Sequence, residues 1–435
     1  MHIKYDRDDL LKILAYFYML MVMALTKIGL EFDFMLFLIY LLLAIPFYKK
    51  TEYYISICIL LSTISYYFVG AYEHVLSIYT ILAIIQTLAS ITSGKKVNLN
   101  FQSLIYTFLL CINICISYNN SVHSYLLGFL RLSYIVSVFY YIFAIKRVEL
   151  QTIADFLPKL GSLMIFCEVL MVLSNFILTS DTRLRIAQEV NSNTFAMSCA
   201  INTCILGLAI NNDSITKTKA FVFKFSMAIS FILLILTGSR TALMAFILAY
   251  SVTLFIKARR AHKIKGYLGK IIIVSIILMM FTYVIASIFG LDISRYDYIS
   301  AVANGGTNRA AIYEMLIPYI MKNDYYIWGY GPGHDTTRGL LQVLVYEDYA
   351  HSHNTFLEAF GELGFIGLVL TVLYTATAMK KINQYCLVNT SGYTLFAIII
   401  SILVNSMGES YFCYAVFWLM LNLIIHNIKS QTKLS

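Results

Sequence analysis

The chain holds only four prolines and two tryptophans in 435 residues, and charged side chains make up 13% of it. A water-soluble domain carries about a quarter charged residues, so this scarcity excludes an ordinary soluble fold. Cysteine is missing from the one long polar stretch, 290–354, because all eight cysteines fall in or beside apolar runs. That distribution argues against a disulfide framework and against a zinc ribbon. Cys111 and Cys115 share a helix face and read as core packing. No Ala-x-Ala exit follows the first apolar run, and the mixed-charge start Asp6-Arg-Asp-Asp9 does not suit a cleaved leader, so the first helix is expected to be an uncleaved anchor. There is no internal repeat, which leaves an inverted-repeat transporter without support.

What is present is apolar: 60% hydrophobic and 15% aromatic residues. The expected fold is an all-α polytopic membrane protein. Apolar runs between charged breaks give 14 candidate helices: 10–26, 32–48, 53–70, 74–93, 99–118, 122–145, 159–180, 192–210, 220–237, 240–257, 267–289, 355–378, 392–408 and 411–427. The least regular are 74–93, with Glu73 and His74 at its mouth, and 192–210, rich in Asn, Ser and Thr. The chain then divides into N-terminal membrane helices (1–190), helices leading to a Ser-Arg helix start (191–289), an extracytoplasmic loop (290–354) and C-terminal helices (355–435).

The net charge of +9 is scattered in short clusters between apolar runs, so it encodes topology and no nucleic acid partner is expected. With the N-terminus inside, 22 of the 32 basic residues fall on the inner side and eight on the outer. Both termini are therefore expected in the cytoplasm and the long loop outside. Arg131 and Glu168 stand within helices, where a buried structural pair and a substrate contact are equally open readings.

Three predicted helix starts share the outer side. At Thr237-Gly-Ser-Arg240 the chain turns and re-enters, with Ser239 as N-cap and Arg240 opening the helix. Open N–H groups there attract an anion, and a guanidinium adds bidentate charge; a snorkelling arginine is the plainer alternative. Gly305-Gly-Thr-Asn-Arg309 repeats the pattern with Thr307 as cap, and Ile312, Met315, Leu316, Tyr319 and Ile320 recur on one face of an amphipathic helix expected along the interface. The third start, His351-Ser-His-Asn354, leads into the helix 355–378 and places His353 at the rim, where it could accept a proton near neutral pH.

Ser239, Tyr330, His351, Asn354 and Glu358 complete the residues expected near a substrate. Glu358 and Glu362, one turn apart, read by default as solvated rim carboxylates. A metal held by His351 and His353 with His334, Asp335, Glu347 or Asp348 lacks matching ligand spacing, so neither metal nor cofactor is expected. The run 329–333 reads as a tight turn, since no strand precedes it.

His353-Asn354, nine residues, then Gly364-Phe-Ile-Gly367 resembles the signature of the O-antigen ligase and O-antigen polymerase superfamily: a histidine followed by Asn, Ser or Gln, nine residues, and Gly-x-x-Gly. Ser239-Arg240 is similar to the family's Ser-Arg helix start, Arg309 to its loop arginine, and Trp328-Gly-Tyr-Gly-Pro-Gly333 to its aromatic and glycine turn, a likeness covering roughly 190–380. What the resemblance implies is a metal-independent glycosyltransferase at the outer face of the bacterial cytoplasmic membrane, moving an undecaprenyl-diphosphate-linked oligosaccharide to an acceptor sugar. In that reading Arg240 and Arg309 hold the diphosphate and His353 is the base. A chain-length regulator is a further partner the family implies. A ligase for protein is expected to carry a large C-terminal extracytoplasmic domain, whereas here the last helix ends soon before Ser435. The Ile, Tyr, Phe and Asn-rich composition resembles that of surface-polysaccharide polymerases, so a polymerase of O-antigen or capsule repeat units is expected. The alternatives are a ligase that hands the glycan to lipid A core, and, from another class, a flippase.

Overall fold

The computed structural model describes residues 7–28, 34–48, 50–62, 100–119, 148–174, 192–210, 215–262, 280–289, 309–322, 326–332, 352–408 and 415–428, with isolated positions between them. Among the described residues there are helices and turns but no strand. The helices are α1 (Arg7–Ile28), α2 (Phe34–Ala44), α3 (Glu52–Ser62), α4 (Phe101–Asn119), α5 (Leu150–Ser174), α6 (Ser192–Ile210), α7 (Lys217–Leu236), α8 (Arg240–Arg260), α9 (Arg309–Lys322), α10 (Thr355–Val388), α11 (Gly392–Asn405) and α12 (Ala415–Asn427).

Six of these, α4 to α8 and α10, are long and apolar enough to cross a membrane. The expected helices 74–93 and 122–145 lie outside the described residues but for single positions. α5 begins at Leu150 and not at 159. Its first turns bury Ile153, Ala154, Phe156 and Leu157 while Gln151 and Asp155 face outward, and Pro158 is carried inside the helix. Apolar burial on one face thus extends the helix through charges that looked like a loop.

The chain forms two compact units that interleave in sequence. The first comprises Met1–Lys95, Val148–Tyr296 and Tyr385–Ser401, the second Lys96–Arg147, Asp297–Gln384 and Ile402–Ser435. In the first unit α1 and α3 meet through a buried aromatic group. The Tyr18 and Tyr54 hydroxyls are 2.8 Å apart, and Tyr40 and Phe47 pack on the Tyr18 ring. α6 is the hub, packed against α5, α7 and α8.

Its polar residues point inward. Ser198 donates to Glu168 Oε1 (2.7 Å), Thr203 to Ser230 Oγ (3.1 Å), and Cys204 lies 3.9 Å from the Ser401 hydroxyl. The Asn, Ser and Thr content that made this helix look doubtful is the means by which it binds its neighbours. Glu168 is fully buried beside Ser198; its expected partner Arg131 lies outside the described residues.

In the second unit α4 shows the polarity of a lipid-facing helix. Ser103, Thr107, Asn113 and Ser117 are buried, while Phe101, Ile105, Phe108, Ile112 and Cys115 form an exposed apolar stripe. A helix that turns its hydroxyls inward and its phenylalanines outward has hydrocarbon, not water, as its solvent. Cys115 lies on that outward stripe, which corrects the expectation that it packs in a core. At the far end of this unit, Lys381 is buried and donates to the carbonyls of Ile425 and Ile428, capping the C-terminus of α12.

Candidate active site

Local rules of chain turning place each functional residue. In the first unit Thr237 and Gly238 turn the chain, with Gly238 at φ 65°, and Ser239 is the N-cap of α8, its Oγ accepting from the Ala242 N–H at 3.5 Å. Arg240 is therefore the first helical residue, partly exposed, and Ser239 is almost fully buried in its capping role.

The second unit carries Arg309 and His353. Arg309 opens α9, as its spacing predicts, while the proposed cap Thr307 lies outside the described residues. Ile312, Leu316 and Ile320 on α9 join Tyr330 and Leu357 in one buried cluster, with Tyr313, Tyr319 and Phe360 against it. The first turns of the Arg309 and His353 helices thus share a core. Met315, expected on the apolar stripe, is at the edge of exposure, and the exposed side of α9 mixes Met315, Ile317 and Met321 with Glu314 and Lys322.

His353 occupies the left-handed region, φ 53°, a conformation uncommon outside glycine. Its neighbours hold it there. Ser352 is buried and donates to the Asn354 carbonyl (3.2 Å), and Asn354 Oδ1 accepts from the N–H groups of Phe356 (2.9 Å) and Leu357 (3.1 Å). Asn354 is thus the N-cap of α10. The Thr355 N–H donates to the Ser406 carbonyl at 2.8 Å, tying the helix start to the end of α11.

α10 is kinked at Gly364, where φ is 69° and ψ −168°. Around the kink three hydrogen bonds change partners. The Ile366 N–H goes to the Ile327 carbonyl (3.2 Å), while the carbonyls of Gly361 and Glu362 accept from the Tyr330 (2.9 Å) and Gly331 (3.0 Å) N–H groups. The backbone polar groups released by the kink are thereby satisfied. Gly329, at φ 85°, faces Gly364 directly: a Cβ on Gly329 would stand 2.2 Å from the Glu362 carbonyl oxygen, and one on Gly364 would stand 2.3 Å from that of Ile327. Gly367 completes the pattern, since its Cβ would overlap Leu363 and approach Asn113 Oδ1 of α4 at 2.7 Å.

Within the run read from sequence as a tight turn, residues 329–331 are therefore the dock for the helix kink. Sequence reasoning held both glycine groups but not their mutual contact; the signal was that two such groups occur in an otherwise helical chain.

One expectation is corrected: Glu358 and Glu362 are fully buried, not solvated at a rim. Tyr330 is 6% exposed, with its ring stacked on Tyr319 at 6.2 Å. His351 and the metal alternatives His334, Asp335, Glu347 and Asp348 lie outside the described residues.

Residues 225–372 match the family model described as O-antigen ligase. That stretch is similar to an O-antigen ligase domain. It contains Ser239-Arg240, Arg309, the Trp328 turn, His353, Gly364 and Gly367, and it excludes Arg131, Glu168, α11 and α12. The match supports kinship with the O-antigen ligases and polymerases, a family of glycosyltransferase-like membrane enzymes. No curated protein matches the chain.

Proposed function

We propose that the protein is a polymerase that joins undecaprenyl-diphosphate-linked oligosaccharide repeat units at the outer face of the cytoplasmic membrane. The observation that supports it is the second unit's construction: a histidine held in a left-handed backbone at a helix start, sharing a hydrophobic cluster with the helix that Arg309 opens. In the reaction, His353 takes the proton of an acceptor hydroxyl as its oxygen attacks the anomeric carbon of the donor. The bond from that carbon to the diphosphate breaks, and the electron pair leaves with the diphosphate, whose charge Arg309 balances. A helix N-terminus and a guanidinium are both suited to that anion. The bilayer holds the polyprenyl tail.

A ligase is the second reading, favoured by the description of the matched family. It uses the same donor chemistry and differs in its acceptor. Surface glycan from a strain lacking the protein separates the two on one gel: loss of a polymerase leaves single repeat units on the acceptor, and loss of a ligase leaves bare acceptor with lipid-linked polymer accumulating. Restoring the gene with Arg309→Ala should reproduce the deletion pattern; long chains from that variant would remove the diphosphate role.

A further inference from the structure

Five helix ends of the first unit frame a cavity of about 560 Å³ that the proposed reaction does not use. α5 supplies Lys159 and Asp155 from its first turns, α7 supplies Lys219, and α8 supplies Lys257 from its last turn. The end of α6 and the turn into α11 close it. α5, α7 and α11 begin here while α6 and α8 end here, so five helix ends meet on one side of this unit.

We propose that this cavity is an anion site that binds the phosphate of an anionic phospholipid headgroup. Three lysines from three helices converge on it against one carboxylate, Asp155, which Gln151 engages through a side-chain hydrogen bond. Two helix N-termini add their partial positive charge: α7, capped by Thr216, and α11, preceded by Thr390 and Ser391. The rest of the lining mixes apolar Pro158, Leu208, Ile215 and Phe223 with Tyr393 and Thr394, so a ligand with both a polar and a greasy part is matched.

The volume lies within the range of about 300–1,000 Å³ typical of ligand sites, far more than a bare phosphate fills. Outside the cavity α7 presents Phe221, Val222 and Phe225 as an exposed apolar face along which acyl chains can run. All three lysines belong to the set that the charge asymmetry assigns to the cytoplasm, where anionic headgroups gather.

The test uses the purified full-length protein in detergent, with lipid retention read by native mass spectrometry and labelled inorganic phosphate by equilibrium dialysis. Wild type should bind phosphatidylglycerol at least about tenfold more tightly than phosphatidylcholine, and Lys159→Gln/Lys219→Gln/Lys257→Gln should lose at least about tenfold of that affinity. A control with the same charge change at exposed positions outside the cavity lining and its helix ends, Arg7→Gln/Lys322→Gln/Lys380→Gln, should stay within about twofold of wild type. Lysine-dependent binding of inorganic phosphate without lipid preference would keep the anion site and assign it a soluble phosphate. If the triple variant fails to fold, Lys159→Gln alone should weaken binding and Lys159→Arg should restore it. Equal phosphatidylglycerol affinity in wild type and cavity variant, or an equal loss in the control, overturns the proposal.

Discussion

His353 adopts φ 53°, so its substitution changes the backbone as well as the imidazole. Asparagine tolerates the left-handed region and cannot act as a base near neutral pH, whereas a β-branched residue is strained there. His353→Asn should therefore melt with wild type, and His353→Val should be less stable by ~1–2 kcal/mol, both read as detergent-solubilised melting curves. Gly364→Ala belongs to the same scale. Its Cβ would meet the Ile327 carbonyl at 2.3 Å, and the loss should reach ~2 kcal/mol or more because neither backbone can retreat. Wild-type melting of Gly364→Ala would show that the loop is not docked on the kink. The identity of these residues was legible in the sequence from their spacing. Their conformations were not, because the φ of His353 and the burial of Glu358 depend on contacts with residues distant in the chain.

At the scale of the element, α9 links the arginine to the histidine. Leu316 is fully buried between the first and last turns of that helix and packs in the cluster with Tyr330 and Leu357. Leu316→Ala should cost ~2–5 kcal/mol and slow transfer in the folded fraction; unchanged activity would detach α9 from the site. Helix existence was readable where apolar runs were long: the span expected at 192–210 is α6, Ser192–Ile210, and Arg240 opens α8 as expected. The reading went astray where charge and burial compete, as in the first turns of α5, and where a helix breaks its own ladder at Gly364 for the sake of a neighbour. The stripe of Ile312, Leu316 and Ile320 was visible as a period. Its partner was not, since one amphipathic face does not name what covers it.

For the whole molecule, the charge asymmetry makes a firm forecast. A fluorescent protein fused after Ser435 should fold and fluoresce in the cytoplasm, and alkaline phosphatase inserted near residue 340 should be active outside. The reverse pattern would turn the site to the wrong leaflet. The interleaved make-up of the two compact units was not legible, because composition changes little along a chain that is apolar throughout. The central claim is chemical: a histidine-based transfer of a glycan from a lipid diphosphate. Its most direct test is purified full-length protein with lipid-linked repeat units and a chelator, the product followed by mass spectrometry. Wild type should lengthen the lipid-linked glycan, and His353→Asn, folded as wild type, should do so about 10²–10⁴-fold more slowly. Equal rates for the two proteins would contradict the account.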